Sequence, residues 1–180
     1  MFTDIDVFLR FFRSVNRRAV RDVNALPPEA DGWTPIGAEG ATLVGEGAWS
    51  INKLIGHMCG SRLYFASAYR REGWVSPDPP DVSRPELWGP ALDASYEEFS
   101  RLVAEVGNEG LTRDIEMIDT PGATLTGWRV LMMMMEHDIH HRSQIDTYAG
   151  MNGWDPPDIF FRSAETIATK QEEQIAKYRS

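Results

Sequence analysis

The chain is poor in cysteine and in positive charge, and both shortages narrow its possible functions. Cys59 is the only cysteine, which rules out a disulfide within the chain and favours a reducing compartment. Lysine and arginine number 18 against 27 aspartates and glutamates, giving a formal net charge of −9. Such a surface repels phosphate backbones and anionic lipids. The composition therefore predicts no nucleic-acid partner.

Long apolar runs are also lacking. No stretch approaches the roughly 20 apolar residues that a membrane-spanning helix needs. The opening sequence MFTDIDVFLRFFRSVNRR places acids before its apolar positions and offers no small-residue cleavage site, unlike a secretory signal. We therefore predict a cytoplasmic protein without membrane association. The length of 180 residues and the hydrophobic content of 42% predict one domain over residues 1–180.

Four segments carry apolar residues at every third or fourth position, which is the spacing of helices with one buried face. These segments are 3–23, 50–70, 92–106 and 126–148. Thr3 and Asp6 resemble a capping box for the first segment, and Thr126 is a candidate N-cap for the fourth. Gly107 and Asn108 are candidate left-handed terminators of the third. The pattern predicts four long helices.

The segments between and after these helices differ in character. Residues 26–48 are rich in proline and glycine and predict a long loop that covers one end of the bundle or lines a pocket. Residues 75–90 read as a proline-rich connector. Residues 111–126 predict either irregular chain or a short hairpin, and residues 157–178 predict a fifth helix. Together the segments predict an all-α fold, a four-helix bundle with an accessory C-terminal helix.

The four histidines form the strongest functional signal. His137 and His141 lie one turn apart on a mostly apolar face of the predicted fourth helix, where unpaired ring nitrogens would be costly. One divalent ion can bind both rings at this spacing. His57 lies on the flank of the second helix's apolar face and can meet the pair across the interior. Three neutral nitrogens leave coordination positions open for water or substrate, which is typical of catalytic metal sites.

Other residues near these histidines fit simpler explanations. His140 lies about 100° around the helix from His141 and is excluded from the site. Cys59 fits a small buried filler, and Trp33, Trp49 and Trp128 are assigned to packing. Asp138 and His141 form an Asp-x-x-His sequence, but the matching motif of di-iron bundles is missing. No fourth ligand is evident, and an ordinary hydrogen-bonded role for the histidines remains open.

Two segments resemble the DinB/YfiT-like family. WSINKLIGHMCGSRLYF is similar to the family's second-helix signature, and HDIHHRSQIDTY is similar to its His-x-x-x-His-Arg-Gly-Gln segment. The resemblance implies a divalent ion, commonly nickel or zinc, bound by His57, His137 and His141. Ser143 departs from the family's usual glycine, whereas Gln144 matches its glutamine and is expected to support a ligand.

The resemblance also implies a range of activities. Characterised members look like thiol-dependent isomerases and S-transferases, which predicts a low-molecular-weight thiol and a small electrophilic substrate for this chain. A homodimer is implied as well. A metal-dependent hydrolase and a non-catalytic stress-response module with a structural ion remain the alternatives.

Overall fold

Four long helices pack side by side in the computed structural model, which describes residues 3–37, 42–158 and 162–179. They are α1 (Ile5–Asn24), α2 (Ile51–Tyr69), α3 (Pro85–Val106) and α4 (Gly127–Met151). Both α1 and α2 pack against α3 and α4. A further helix, α5 (Ala164–Arg179), follows and buries none of its described residues. The predicted all-α bundle with an accessory C-terminal helix is therefore confirmed.

The core of the bundle has two halves. In one half the aromatic rings of α1 and α3 interlock, with the Phe12 and Phe99 centroids 5.2 Å apart in an edge-to-face arrangement. In the other half Leu54, Trp88 and Ile145 are buried between α2, α3 and α4. None of the helices in the described residues is long and apolar enough to cross a membrane. The packing of the bundle holds α2 and α4, the two helices that carry the histidines, against each other.

Local sequence signals set several helix ends, and the predicted N-cap Thr126 is confirmed. Ser50 and Thr126 cap α2 and α4 through their hydroxyl oxygens, which accept hydrogen bonds from the amides of Lys53 and Arg129. Gly107 ends α3 at a positive φ of 69°. At α1 the predicted capping box is wrong. Its cap is Asp4, whose carboxylate accepts a hydrogen bond from the amide of Asp6.

The start of α3 also differs from the prediction. The connector was predicted to reach residue 90, yet α3 begins at Pro85 and contains Pro90. Pro85 occupies the first helical position, where no amide hydrogen is needed. Pro90 costs one backbone bond near the helix start. Trp88 compensates, because it is fully buried and its indole nitrogen donates to the Val82 carbonyl at 2.9 Å.

The remaining segments follow the predictions in outline. Residues 111–126 contain the short hairpin, in which β1 (Asp114–Glu116) pairs antiparallel with β2 (Thr124–Thr126). The described part of the 26–48 loop contains two short 3₁₀ turns, Pro28–Ala30 and Gly45–Ala48. The predicted fifth helix starts at residue 157, whereas α5 starts at Ala164, and residues 159–161 of the predicted segment lie outside the described residues.

A buried charged cluster joins α1 to α4 beneath the second half of the core. Asp22 is 2% exposed and pairs with Arg21 at 2.9 Å. Arg142 of α4 lies 3.9 Å from Asp22 and 4.0 Å from Asp146. Burial and the neighbouring Asp22 carboxylate raise the pKa of Asp146 to about 6. Folding therefore favours the protonated form of this carboxyl.

The raised pKa predicts a pH-dependent effect of Asp146→Asn. An unfolded aspartate ionises near pH 4, so the folded wild type loses stability as the pH rises from about 4 to 6. The variant has no such loss. We expect the difference in the free energy of unfolding, variant minus wild type, to increase by about 1–2 kcal/mol from pH 4 to pH 7.5. Urea denaturation at both pH values measures this, with the exposed Asp158→Asn as control. An equal difference at both pH values would contradict the assignment.

Candidate metal centre

Three imidazole rings converge between α2 and α4. The Nε2 atoms of His57 and His137 are 2.8 Å apart, and the His141 ring centroid lies 4.9 Å from that of His57 and 4.4 Å from that of His137. One ring nitrogen from each residue lies within 4.8 Å of the other two. The structure thus brings together the three residues that the sequence singled out. His140 is exposed, at 65% of its side-chain surface, and does not belong to this group of three.

The hydrogen bonds of the three rings fit a bound cation. The Nδ1 atom of His141 lies 3.1 Å from the Gln144 amide oxygen, so this nitrogen carries the hydrogen and Nε2 keeps its lone pair. Among the described residues, Nε2 of His141 is buried without a hydrogen-bond partner. Buried polar atoms normally have partners. The cluster can therefore hold a divalent metal ion, for which imidazole nitrogens are common ligands.

Burial keeps the three rings in the form that binds metals. Desolvation and the neighbouring imidazoles lower the pKa of His137 to about 3. Desolvation also lowers the pKa of His57 and of His141. Because the neutral imidazole is the metal ligand, no proton has to be displaced from these rings near pH 7.

Sequence reasoning missed a carboxylate that lies beside the histidines. The Oε2 atom of Glu46 is 3.9 Å from Nε2 of His141 and 4.0 Å from Nε2 of His140. These three side chains form a second group able to hold an ion. Glu46 belongs to the 3₁₀ turn Gly45–Ala48, before α2. The glycine-rich sequence around Glu46 predicts a loop that covers one end of the bundle or lines a pocket, but it does not predict where the Glu46 carboxylate lies.

Sequence reasoning also missed an ion pair between two fully buried side chains near the histidines. Arg62 of α2 donates to Asp138 of α4 through Nε at 3.2 Å and Nη2 at 2.7 Å, and neither side chain is exposed. Arg62 also donates to the Ser95 hydroxyl at 3.0 Å and so reaches α3. The Asp138 carboxylate therefore faces Arg62. The pair joins three helices at the level of His137 and His141.

A cavity of about 850 Å³ opens beside the histidines and runs along α2. Its walls are mostly apolar, and its lining includes His57 and His137. The lining also contains two charged residues, two glycines and a set of aromatic, proline and valine side chains: Glu46, Lys53, Gly56, Gly60, Trp49, Tyr64, Phe65, Pro79, Pro80 and Val82. Trp49 was assigned to packing, but it lies in this wall with its ring edge-to-face on His57 at 5.0 Å. Cys59 is fully buried, as predicted.

Two glycines of α2 allow the proline-rich connector to form the outer wall of the cavity. A β-carbon at Gly60 would lie 3.1 Å from the Ser76 hydroxyl oxygen, and one at Gly56 would lie 3.3 Å from a Val82 methyl. Both distances are tighter than ordinary contact. The lack of side chains at these positions thus lets the connector approach α2 and close the cavity on one side.

The fold and the histidine cluster define a helical-bundle protein with a site that can hold a divalent metal ion. The DinB family model matches residues 1–174, so the chain belongs to the DinB family.

Known proteins agree with this assignment. The chain is 30% identical over 104 residues to the uncharacterized protein YjoA of Bacillus subtilis, covering 57% of this chain and 67% of YjoA. The crystal structure of a DinB-like protein from Bacillus cereus matches 88% of this chain and 99% of its own, with a TM-score of 0.69 at 17% identity. The crystal structure of YjoA itself matches 87% and 98%, with a TM-score of 0.62 at 18% identity. At these identities the structural likeness shows the fold alone.

Proposed function

We propose that the protein binds one divalent metal ion through His57, His137 and His141 and uses it in a thiol-dependent transfer or isomerisation of a small electrophile. The observation that carries the proposal is the convergence of three neutral imidazoles beside a mostly apolar cavity. Three protein nitrogens leave coordination positions free. This arrangement suits catalysis better than a purely structural ion.

The cavity suits a small organic substrate. Its volume of about 850 Å³ is in the range of small-molecule sites, and its aromatic and proline walls favour an apolar body. Lys53 lies one turn before His57, and its Nζ atom lies over the Trp49 ring, 4.1 Å from the centroid. This positive charge at the cavity would attract a substrate that carries an anionic group. A bound divalent ion would lower the pKa of a thiol and so supply a thiolate at neutral pH.

Imidazole ligands favour nickel or zinc over the harder magnesium and calcium. The cosubstrate in this proposal is a low-molecular-weight thiol. A homodimer and a cytoplasmic location stay predictions of the sequence.

A hydrolase is the second candidate, because one carboxylate remains near the histidines. Asp138 is held by Arg62, and Glu136 pairs with Arg129 on the surface at 2.9 Å. Within the part of the chain that the structure describes, Glu46 is therefore the carboxylate available to act as a general base. A non-catalytic binding module is the third candidate and predicts that the bound ion leaves reactivity towards substrates unchanged.

Cobalt-substituted protein distinguishes these candidates, because thiolate binding to cobalt produces a charge-transfer absorption band. We expect this band when glutathione or another small thiol is added to the wild type, together with metal-dependent conjugation of chlorodinitrobenzene. His137→Ala should lose both signals, and His140→Ala should keep both. Absence of the band with every thiol, together with metal-dependent ester cleavage, would replace the transferase by the hydrolase. Absence of both activities would favour the binding module.

A further inference from the structure

Two side chains of α4 donate hydrogen bonds to the 3₁₀ turn Gly45–Ala48. The Gln144 amide nitrogen donates to the Glu46 carbonyl at 2.7 Å, and the Tyr148 hydroxyl donates to the Gly47 carbonyl at 3.1 Å. Gln144 also donates to the Tyr148 hydroxyl at 2.7 Å, which ties the two together. The backbone of Glu46 is therefore positioned by α4, and its carboxylate takes no part in this attachment.

The same glutamine orients His141. Its amide oxygen accepts from Nδ1 of His141 while its amide nitrogen holds the turn. One side chain thus sets both the ring orientation and the position of the Glu46 backbone. The result is a pair of polar atoms, Nε2 of His141 and Oε2 of Glu46, that lie 3.9 Å apart without a hydrogen bond between them. Among the described residues, this buried Nε2 has no partner.

We propose that Glu46 is a fourth protein ligand of an ion with five or six coordination positions, so that a position stays open for the thiol; this inference rests on the proposed three-histidine site. Two neighbouring ligands about 2.1 Å from one ion lie about 3.0 Å apart at octahedral angles and about 3.4 Å apart at tetrahedral angles. The separation of 2.8 Å between His57 and His137 lies below these values, and that of 3.9 Å between His141 and Glu46 lies above them.

The Glu46 carboxylate lies within 4.8 Å of ring nitrogens of His140 and His141. It is not grouped with His57 and His137, so it has to move towards these two rings to complete the ligand set. The carboxylate is 48% exposed at the cavity edge, which leaves it free to do so.

The proposal assigns different roles to neighbouring residues. Glu46 adds a negative charge to three neutral ligands and strengthens the hold on a divalent cation. His140 stays outside the ligand set, although it lies equally close to the carboxylate. Gln144 and Tyr148 are positioning residues, because they hold the turn and do not reach the ion themselves.

Metal affinity of the full chain tests the proposal without any assay of turnover. Chelator-stripped wild type, Glu46→Gln and Glu136→Gln are titrated with zinc against a chromophoric chelator. Glu136 provides the matched control, because it lies beside His137 with its carboxylate on the surface. We expect Glu46→Gln to weaken zinc binding about 10-fold or more, and Glu136→Gln and His140→Ala to change it less than about twofold. The visible absorption of the cobalt form should change in Glu46→Gln alone among these three variants.

A second variant separates loss of the ligand from loss of the turn. Tyr148→Phe releases the Gly47 carbonyl but keeps the carboxylate, so it should weaken zinc binding less than Glu46→Gln does. Zinc affinity and a cobalt spectrum equal to wild type in Glu46→Gln would overturn this inference and leave the three-histidine site intact. A loss in His140→Ala as large as that in Glu46→Gln would also overturn it, because the ion would then lie in the second group. Failure of the wild type to bind zinc or cobalt would overturn both proposals.

Discussion

Asp138→Asn is expected to lower the free energy of unfolding by about 3–5 kcal/mol. Arg62 and Asp138 are both fully buried, and Arg62 donates to Asp138 through two nitrogens. Asparagine keeps the size of the side chain but leaves the guanidinium charge buried without a counter-ion. Chemical denaturation of the metal-free protein measures the change without interference from a bound ion.

Two variants show whether the buried charge is the cause. Glu136→Gln breaks the exposed pair with Arg129 and should cost less than about 1 kcal/mol. Replacing both buried partners, as Arg62→Met with Asp138→Leu, removes the uncompensated charge and should recover much of the stability lost in Asp138→Asn. A cost below about 1 kcal/mol for Asp138→Asn, or a double variant less stable than that single variant, would contradict the account.

Zinc is expected to raise the melting temperature of the wild type and to leave that of His137→Ala unchanged. A ligand at 100 times its dissociation constant stabilises a folded protein by about 2.7 kcal/mol. For a chain of this length that corresponds to about 5–10 °C. His137 has its ring nitrogen 2.8 Å from that of His57, so its removal opens the centre of the cluster.

The control for this prediction is the neighbouring histidine on the same helix. His140 is exposed and lies outside the three-histidine cluster, so His140→Ala should keep the zinc-dependent rise. Differential scanning calorimetry with and without zinc gives both values. Equal rises in wild type and His137→Ala would show that zinc binds elsewhere on the chain.

Much of the fold could be predicted from the sequence because its signals are local. The apolar spacing of α2 and α4 and the caps Ser50 and Thr126 depend on residues within a few positions of one another. The pairing of His137 with His141 follows from helical geometry alone. His57 could be added because its helical face is also apolar and because the segment around it resembles a known family.

The errors arose where distant contacts decide the outcome. The helix start at Pro85 is fixed by burial of Trp88 and its bond to Val82, and neither is visible in the local pattern. The position of Glu46 depends on hydrogen bonds from α4, nearly 100 residues away in the chain.

The Arg62–Asp138 pair was missed for a different reason. Charged side chains are assigned to the surface by default, since burial is costly without a partner. Here α2 and α4 each supply one charge to the same interior point, so the attraction between the two charges offsets the cost of burying them. Only the packing of the two helices against each other identifies such a pair.

The most direct test is the metal content of the purified protein. Wild type and the His137→Ala, His141→Ala double variant are prepared without chelator or affinity tag, supplied with nickel and zinc, desalted and measured by inductively coupled plasma mass spectrometry. The account predicts close to one ion per wild-type chain and essentially none in the double variant. Equal metal content in the two proteins, or none in either, would contradict the three-histidine site.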